Sequence, residues 1–179
     1  MKNKLILILS IILSLAFSSE IKDKTIQVIN DFYNQQDIQI DEFKFSISKK
    51  IKKEIQNKVK QKFYRNQIYY WTIKIDDKIH YALMDNTIGK TMPITFLVIF
   101  NENQEVIHSS IIKYREAYGG EVAGESWLDQ FTNYTDTSNY KVGKAISGIS
   151  GASISVHSVS KGIKKLSILI HQIMKDFDE

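Results

Sequence analysis

The sequence predicts an α+β fold: an antiparallel sheet of hairpins packed by helices, with a long C-terminal helix after a loop of glycines and serines. Two observations carry this reading. Between Gln67 and Tyr114 four short runs alternate apolar with polar residues or stay β-branched and aromatic, the signature of strands. On both sides of that region the apolar spacing changes to three and four, the period of helices that bury one face. The 179 residues are 43% hydrophobic and 25% charged, a composition that suits one folded domain with a sizeable core.

The N-terminal segment stands apart. Lys2 and Lys4 precede an apolar run from Leu5 to Phe17, interrupted only by Ser10 and Ser14 and followed by Ser18 and Ser19. This is the layout of a secretory signal. The run is shorter than the roughly 20 residues a helix needs to cross a bilayer, so residues 1–18 are expected to be a cleaved signal and residues 19–179 a single exported domain, periplasmic or extracellular. Membrane contact is then expected only through the signal if it stays uncleaved. Its removal takes away Lys2 and Lys4, leaving 22 basic against 20 acidic residues, too even a balance for an electrostatic nucleic-acid surface. There is no cysteine, which excludes a disulfide framework, a thiolate metal site and lipid attachment at an N-terminal cysteine.

The elements follow in order. Ile26, Ile29, Phe32 and Tyr33 within Ile21–Asn34 predict a short amphipathic helix. Ile51, Ile55, Val59 and Phe63 recur every fourth residue in a lysine-rich stretch, predicting a second helix with a narrow apolar stripe and a solvated basic face. Strands are expected from Gln67 to Asp76 and from Ile79 to Met84, turned at Asp76-Asp77, then from Ile94 to Phe100 and from Val106 to Tyr114 around the polar turn Asn101–Gln104. Pro93, the one proline, precedes a strand, where its missing amide does least harm. Val159, Ile163, Leu166, Ile170, Ile173 and Phe177 predict a long helix packed on the sheet.

The unusual composition lies between Val142 and His157, which holds Gly143, Ser147, Gly148, Ser150, Gly151, Ala152, Ser153 and Ser155. Small residues let a backbone approach a ligand closely. The loop runs into the last helix, whose first amides and dipole favour a negative group such as a phosphate. Helix capping by the serines alone is an equally open reading of these residues. A hydrolase elbow begun by Gly148-Ile149-Ser150 fails because position 152 is Ala where that pattern wants Gly, and because His157 has no acid partner. His80, His108, His157 and His171 lack metal-ligand spacing, so no metal is assigned.

The run Ser147-Gly148-Ile149-Ser150-Gly151-Ala152-Ser153 resembles the flavin-attachment motif of the FMN-binding domain family, Asp-x-x-Ser/Thr-Gly-Ala-Thr/Ser. Gly89-Lys90 with Pro93–Val98, and Tyr114–Val122 with Trp127–Phe131, are similar in order and spacing to the soluble branch of that family, so the resemblance covers about residues 86–165. The family includes subunits of the Rnf complex and of the sodium-pumping quinone reductase. The resemblance implies FMN as cofactor, joined through its phosphate to Ser153 by an ApbE-type flavin transferase that takes it from FAD. Two positions depart from the pattern: Ser147 stands where the family usually has Asp, and Ser153 where it usually has Thr.

The residues expected at the cofactor are Ser147, Ser150, Gly151, Ala152 and Ser153, with Glu116, Tyr118, Gly119, Gly120 and Glu121 from the upstream loop. There Gly119-Gly120 permits a close backbone approach to a flat ring. Arg115 offers a positive charge beside the negative Glu116, and Tyr118 and Trp127 offer ring faces, although core packing is the stronger claim on two large aromatics. The function implied is electron transfer between a donor and an acceptor protein, with the flavin supplying the redox chemistry and no catalytic side chain required. A flavin-free exported binding module and a flavin-dependent reductase are the alternatives.

Overall fold

Alternation along the chain produces strands whose two faces differ, and five of them are laid side by side in chain order. The computed structural model describes residues 20–34 and 37–178 in two compact units, the first ending at Gln35 and the second beginning at Gln36. The expected signal, residues 1–18, lies outside the described residues. In the first unit residues 20–33 form helix α1, as the spacing of Ile26, Ile29 and Tyr33 predicts. Among the described residues no helix is long and apolar enough to cross a membrane.

The second unit is an antiparallel meander, β1 (Ile38–Ser46), β2 (Gln67–Ile75), β3 (Lys78–Ile88), β4 (Pro93–Phe100) and β5 (Val106–Lys113), ordered β1-β2-β3-β4-β5. Four strands stand where the sequence places them, β3 running further than expected. The fifth, β1, is an addition: Ile38 and Ile40, and after a change of phase Phe43 and Phe45, alternate with polar residues, and pairing along its whole length with β2, from Ile38 opposite Ile75 to Ser46 opposite Gln67, makes it one continuous strand. The β2–β3 turn is closed by Asp76 at φ 49°, a left-handed conformation that Asp tolerates better than most residues. In the β4–β5 turn the Asn101 carboxamide oxygen accepts from the amides of Asn103 and Glu105, each at 2.9 Å.

Helix α2 (Lys49–Val59) is capped by Ser48, whose hydroxyl accepts from the Ile51 amide at 3.3 Å. It stops earlier than the apolar period suggests, because Lys60 turns left-handed (φ 57°) and donates to the Gln56 carbonyl. Phe63 nonetheless remains buried beyond the helix end, so its place in the apolar period reflects packing rather than helix. After β5, short turns and the one-turn helix α3 (Glu125–Leu128) lead to α4 (Ser153–Asp178).

Ile55 and Val59 of α2, and Val156, Val159, Ile163, Leu166, Ile170 and Ile173 of α4, pack with Tyr70, Leu83, Phe96 and Val98 of the sheet in one core. The fit against the sheet is close. A methyl added at Gly162 would lie 2.6 Å from the end of the Phe96 ring. Two buried serines of α4 are satisfied within the helix, Ser160 donating to the Val156 carbonyl at 2.8 Å and Ser167 to that of Ile163 at 3.1 Å.

A buried ion pair lies inside this layer. The Lys165 side chain is fully buried on α4, its Nζ 2.8 Å from Asp85 Oδ2 on β3, 3.0 Å from the Lys62 carbonyl and 4.5 Å from the centre of the Phe63 ring. Removing one partner of such a pair leaves the other charged and dry. Lys165→Met is therefore expected to destabilise the protein by about 3–5 kcal/mol in urea unfolding, and Lys165→Met with Asp85→Leu to recover most of that loss.

Candidate functional site

Three connections meet at one end of the sheet: the β3–β4 loop, the segment leaving β5, and the loop entering α4. Each is held by side chains of another. The Glu116 carboxylate accepts from the Thr91 amide (2.7 Å), the Met92 amide (2.9 Å) and the Thr91 hydroxyl (3.0 Å). Beside it Arg115 Nη1 donates to the Pro93 carbonyl and to Thr95 Oγ1, both at 3.0 Å. These bonds fasten the segment after β5 to the β3–β4 loop and to the start of β4.

A second tie joins that segment to α4. Tyr114 Oη donates to the Tyr118 carbonyl at 2.6 Å and lies 3.0 Å from Ser155 Oγ. Since the single tyrosine proton points at the carbonyl, the Ser155 hydroxyl is the donor in the second bond. Gly119, at φ +80°, sits in the angle between them, where a side chain would meet Tyr114 Oη at 2.9 Å and the Ala152 methyl at 3.2 Å. The backbone sign and the space both call for glycine here.

The loop before α4 is braced from its other side. Ser147 donates through its amide to Gln130 Oε1 at 2.8 Å and accepts at its carbonyl from the Trp127 indole at 2.9 Å. Trp127 is buried with its ring edge-on to Phe131 at 5.3 Å. Core packing is thus where this aromatic is spent, whereas Tyr118 is 87% exposed. The chain then turns at Gly151 (φ +81°), and the Ala152 carbonyl accepts the first helical bond, from the Val156 amide. Ala152 is thereby the N-cap of α4, and its methyl offers no oxygen to the amides of the first turn.

These connections wall a cavity of about 710 Å³, within the size range of cofactor pockets. Of the residues predicted at the cofactor, Glu116, Tyr118, Gly151, Ala152 and Ser153 line it, together with Lys90, Thr91, Met92, Arg115, Ala117, Ile154 and Ser155. Gly119 stands behind the lining against Ala152, and Ser147, Ser150, Gly120 and Glu121 lie outside it. The three hydroxyls near the helix start differ in setting. Ser153 is exposed and lines the cavity, Ser155 is buried and bonded to Tyr114, and Ser150 is exposed outside the lining. Met92 and Ile154 add exposed apolar surface at the rim.

Residues 89–167 match the family model of the FMN-binding domain. The matched span takes in all three connections and agrees with the region of resemblance expected from the sequence. It supports FMN as the cofactor, and the chain's own residues fit that group: α4 amides without a side-chain cap, the cations Lys90 and Arg115, and the exposed Tyr118 ring around one cavity. No curated protein matches the chain. Thr91 and Met92, whose amides hold Glu116 in this FMN-binding segment, carried no signal in the sequence, since a loop's bonding partners cannot be read from its residue types. Nor could the role of Tyr114, which depends on a contact with Ser155 across 41 positions.

The hydrogen bonds from the Met92 and Thr91 amides hold the Glu116 carboxyl below its ordinary range. A carboxylate with a depressed pKa contributes its full tethering above the ordinary Glu value and loses it as pH falls through the depressed one. The amide resonances of Thr91 and Met92, followed by NMR, are accordingly expected to hold steady down to about pH 4.3, the free glutamate value, and to titrate only below it. Glu116→Gln should move both resonances at neutral pH.

Proposed function

We propose that this protein is an exported electron-transfer flavoprotein, akin to the flavinylated subunits of the Rnf complex and the sodium-pumping quinone reductase, that carries FMN as a phosphoester on Ser153. The observation that carries the reading is the setting of Ser153: an exposed hydroxyl at the first position of a 26-residue helix, on the wall of the cavity. In the attachment step the Ser153 oxygen bonds to the FMN-side phosphorus of FAD. The diphosphate P–O bond breaks, AMP leaves, and the serine proton is released to the transferase or solvent. The partner is an ApbE-type flavin transferase acting outside the cytoplasm, where donor and acceptor proteins then meet the cofactor.

The protein's part is to bind and orient. First-turn amides and the dipole of α4 stabilise the phosphate, and the Tyr114–Ser155 and Glu116–Thr91 ties hold the cavity walls in place. Tyr118 presents a ring face, and Met92 and Ile154 present apolar surface, to a flat aromatic system. Bound flavin supplies the one- and two-electron chemistry. A flavin-free binding module is the second reading, favoured by Ser147 where the motif has Asp. Its side chain is exposed while its backbone is fixed by Trp127 and Gln130.

The test is flavin incorporation, measured by visible absorbance per mole of protein and by in-gel fluorescence after denaturation, with transferase and FAD supplied. Ser153→Ala is expected to abolish covalent flavin with a stability change within about 0.5 kcal/mol, and Ser153→Thr to keep it. Ser147→Asp is expected to raise the loading rate, because a carboxylate orients a hydroxyl or a metal better than a neutral serine, and adding Ser153→Ala should cancel the gain. Folded protein that takes up no flavin in either the unmodified or the Ser147→Asp form, beside an active transferase, would favour the flavin-free module.

A further inference from the structure

Strand β1 is an open edge of the sheet. Among the described residues it pairs only with β2, whereas the other edge, β5, is partly covered: the Val106 amide donates to the Tyr134 carbonyl at 2.9 Å, and the Asn133 amide to that of Val106 at 2.8 Å. Exposed edges are commonly blunted by shortness, a proline or a bulge. β1 has none of these, since its nine residues include no proline and pair with β2 one to one.

The ladder fixes which backbone groups of β1 point outward. The Ile47 amide, just past the strand, donates inward to the Asn66 carbonyl at 2.8 Å. Backbone polar groups alternate in direction along an antiparallel strand, so the odd-numbered residues of β1 face β2, and Ile38, Ile40, Glu42, Lys44 and Ser46 turn their amides and carbonyls outward. A strand added antiparallel must meet these with outward-facing residues of its own. For a second copy of β1, one register does so with Phe43 opposite Phe43, Glu42 opposite Lys44 and Lys44 opposite Glu42. Slipping by two residues either way sets Glu42 against Glu42 or Lys44 against Lys44, like charges that repel. The same register brings apolar surface to its centre. Phe43 is 37% exposed, stacks on Tyr70 at 5.3 Å and meets the half-buried Phe177 edge-on at 5.8 Å.

We propose that β1 is a self-recognition surface: it pairs antiparallel with β1 of a second copy of this chain, about a two-fold axis at Phe43, and joins the two sheets into one. The interface is isologous, each copy giving a Glu42 to the other's Lys44 and a Lys44 to the other's Glu42. Charge selects the occupant. An antiparallel strand that satisfies Glu42, Phe43 and Lys44 must itself read acidic, apolar, basic in chain order, which is the order β1 supplies. The two exposed Phe43 rings then cover one another at the axis, with both Phe177 rings beside them.

Sedimentation velocity of the purified protein over a concentration series tests this, with folding of every variant checked by circular dichroism. A reversible dimer is expected. Glu42→Lys and Lys44→Glu, both at exposed positions, should each weaken it by about fivefold or more, because each turns two attractive pairs into repulsive ones. Mixing these two variants should restore the dimer, since the chain with two lysines then faces the chain with two glutamates. The chain has no cysteine, so cross-linking gives an independent readout. Phe43 faces its twin in a non-hydrogen-bonded pair, with Cα atoms about 4.5 Å apart, within reach of a disulfide. Phe43→Cys should therefore oxidise to a covalent dimer on a non-reducing gel, and Gln39→Cys, well off the axis, should not. A monomer up to about 0.3 mM, a dimer that neither reversal weakens, a mixture no more dimeric than its components, or equal cross-linking through Gln39→Cys would each overturn the proposal. None of these readouts depends on flavin attachment, which the Ser153 variants measure separately.

Discussion

Everything the site requires follows from where α4 lies along the sheet, and the buried Lys165–Asp85 pair is what sets that position. Hydrophobic packing alone is permissive, because a row of Val, Ile and Leu can slide by a turn and bury similar area. An ammonium with one carboxylate oxygen at 2.8 Å and one carbonyl at 3.0 Å cannot slide without losing both. Such pairs contribute little net stability compared with an apolar substitute, and their better-attested use is to fix one arrangement among several. Here the arrangement is axial. Ser153 stands twelve residues before Lys165, so a helix pinned at the lysine delivers the hydroxyl to the end of the sheet, about 18 Å away along the axis.

At that end the walls are built by mutual restraint rather than by a single scaffold. Glu116 holds the β3–β4 loop, Tyr114 holds Ser155, and Gly119 is the small residue that lets the two segments close on Ala152. Trp127 and Gln130 grip the backbone of Ser147 without occupying the cavity. The charged and aromatic residues around the glycines therefore divide their work. Arg115, Glu116 and Tyr118 line the cavity, although Arg115 and Glu116 also spend hydrogen bonds on shaping it, while Trp127 serves the core.

The parts of this architecture legible in the sequence are those governed by periodicity and by local motifs. β2 to β5 announce themselves because apolar residues recur at the strand period or fill short β-branched runs, and α4 because its stripe is long. The loop before α4 is legible because its glycines and small hydroxyl residues are crowded beyond ordinary turns. What the sequence hides is set by partners far along the chain or by the sign of a backbone angle: β1 is completed by its pairing with β2, and α2 ends early because Lys60 adopts a left-handed backbone that its residue type does not advertise. Likewise the difference between Ser153 and Ser155, both small hydroxyl residues two positions apart, is a matter of which side of α4 faces Tyr114.

The capping of the two long helices in the sheet unit points the same way. Helix α2 begins conventionally, with Ser48 accepting from Ile51. Helix α4, more than twice as long and central to the core, has Ala152 at its N-cap, among the poorest residues for that place. Serine at that position would contribute about 0.5–2 kcal/mol, and serines stand close by at 150, 153 and 155. The choice makes physical sense in terms of the surroundings. A larger residue at 152 would crowd Gly119, whose would-be side chain already falls 3.2 Å from the Ala152 methyl. A capping oxygen would also claim first-turn amides of α4, whose residues Ser153, Ile154 and Ser155 line the cavity. Local rules of stability are relaxed where function makes a competing demand. In this helix the departure falls at the turn whose residues Ser153, Ile154 and Ser155 line the cavity.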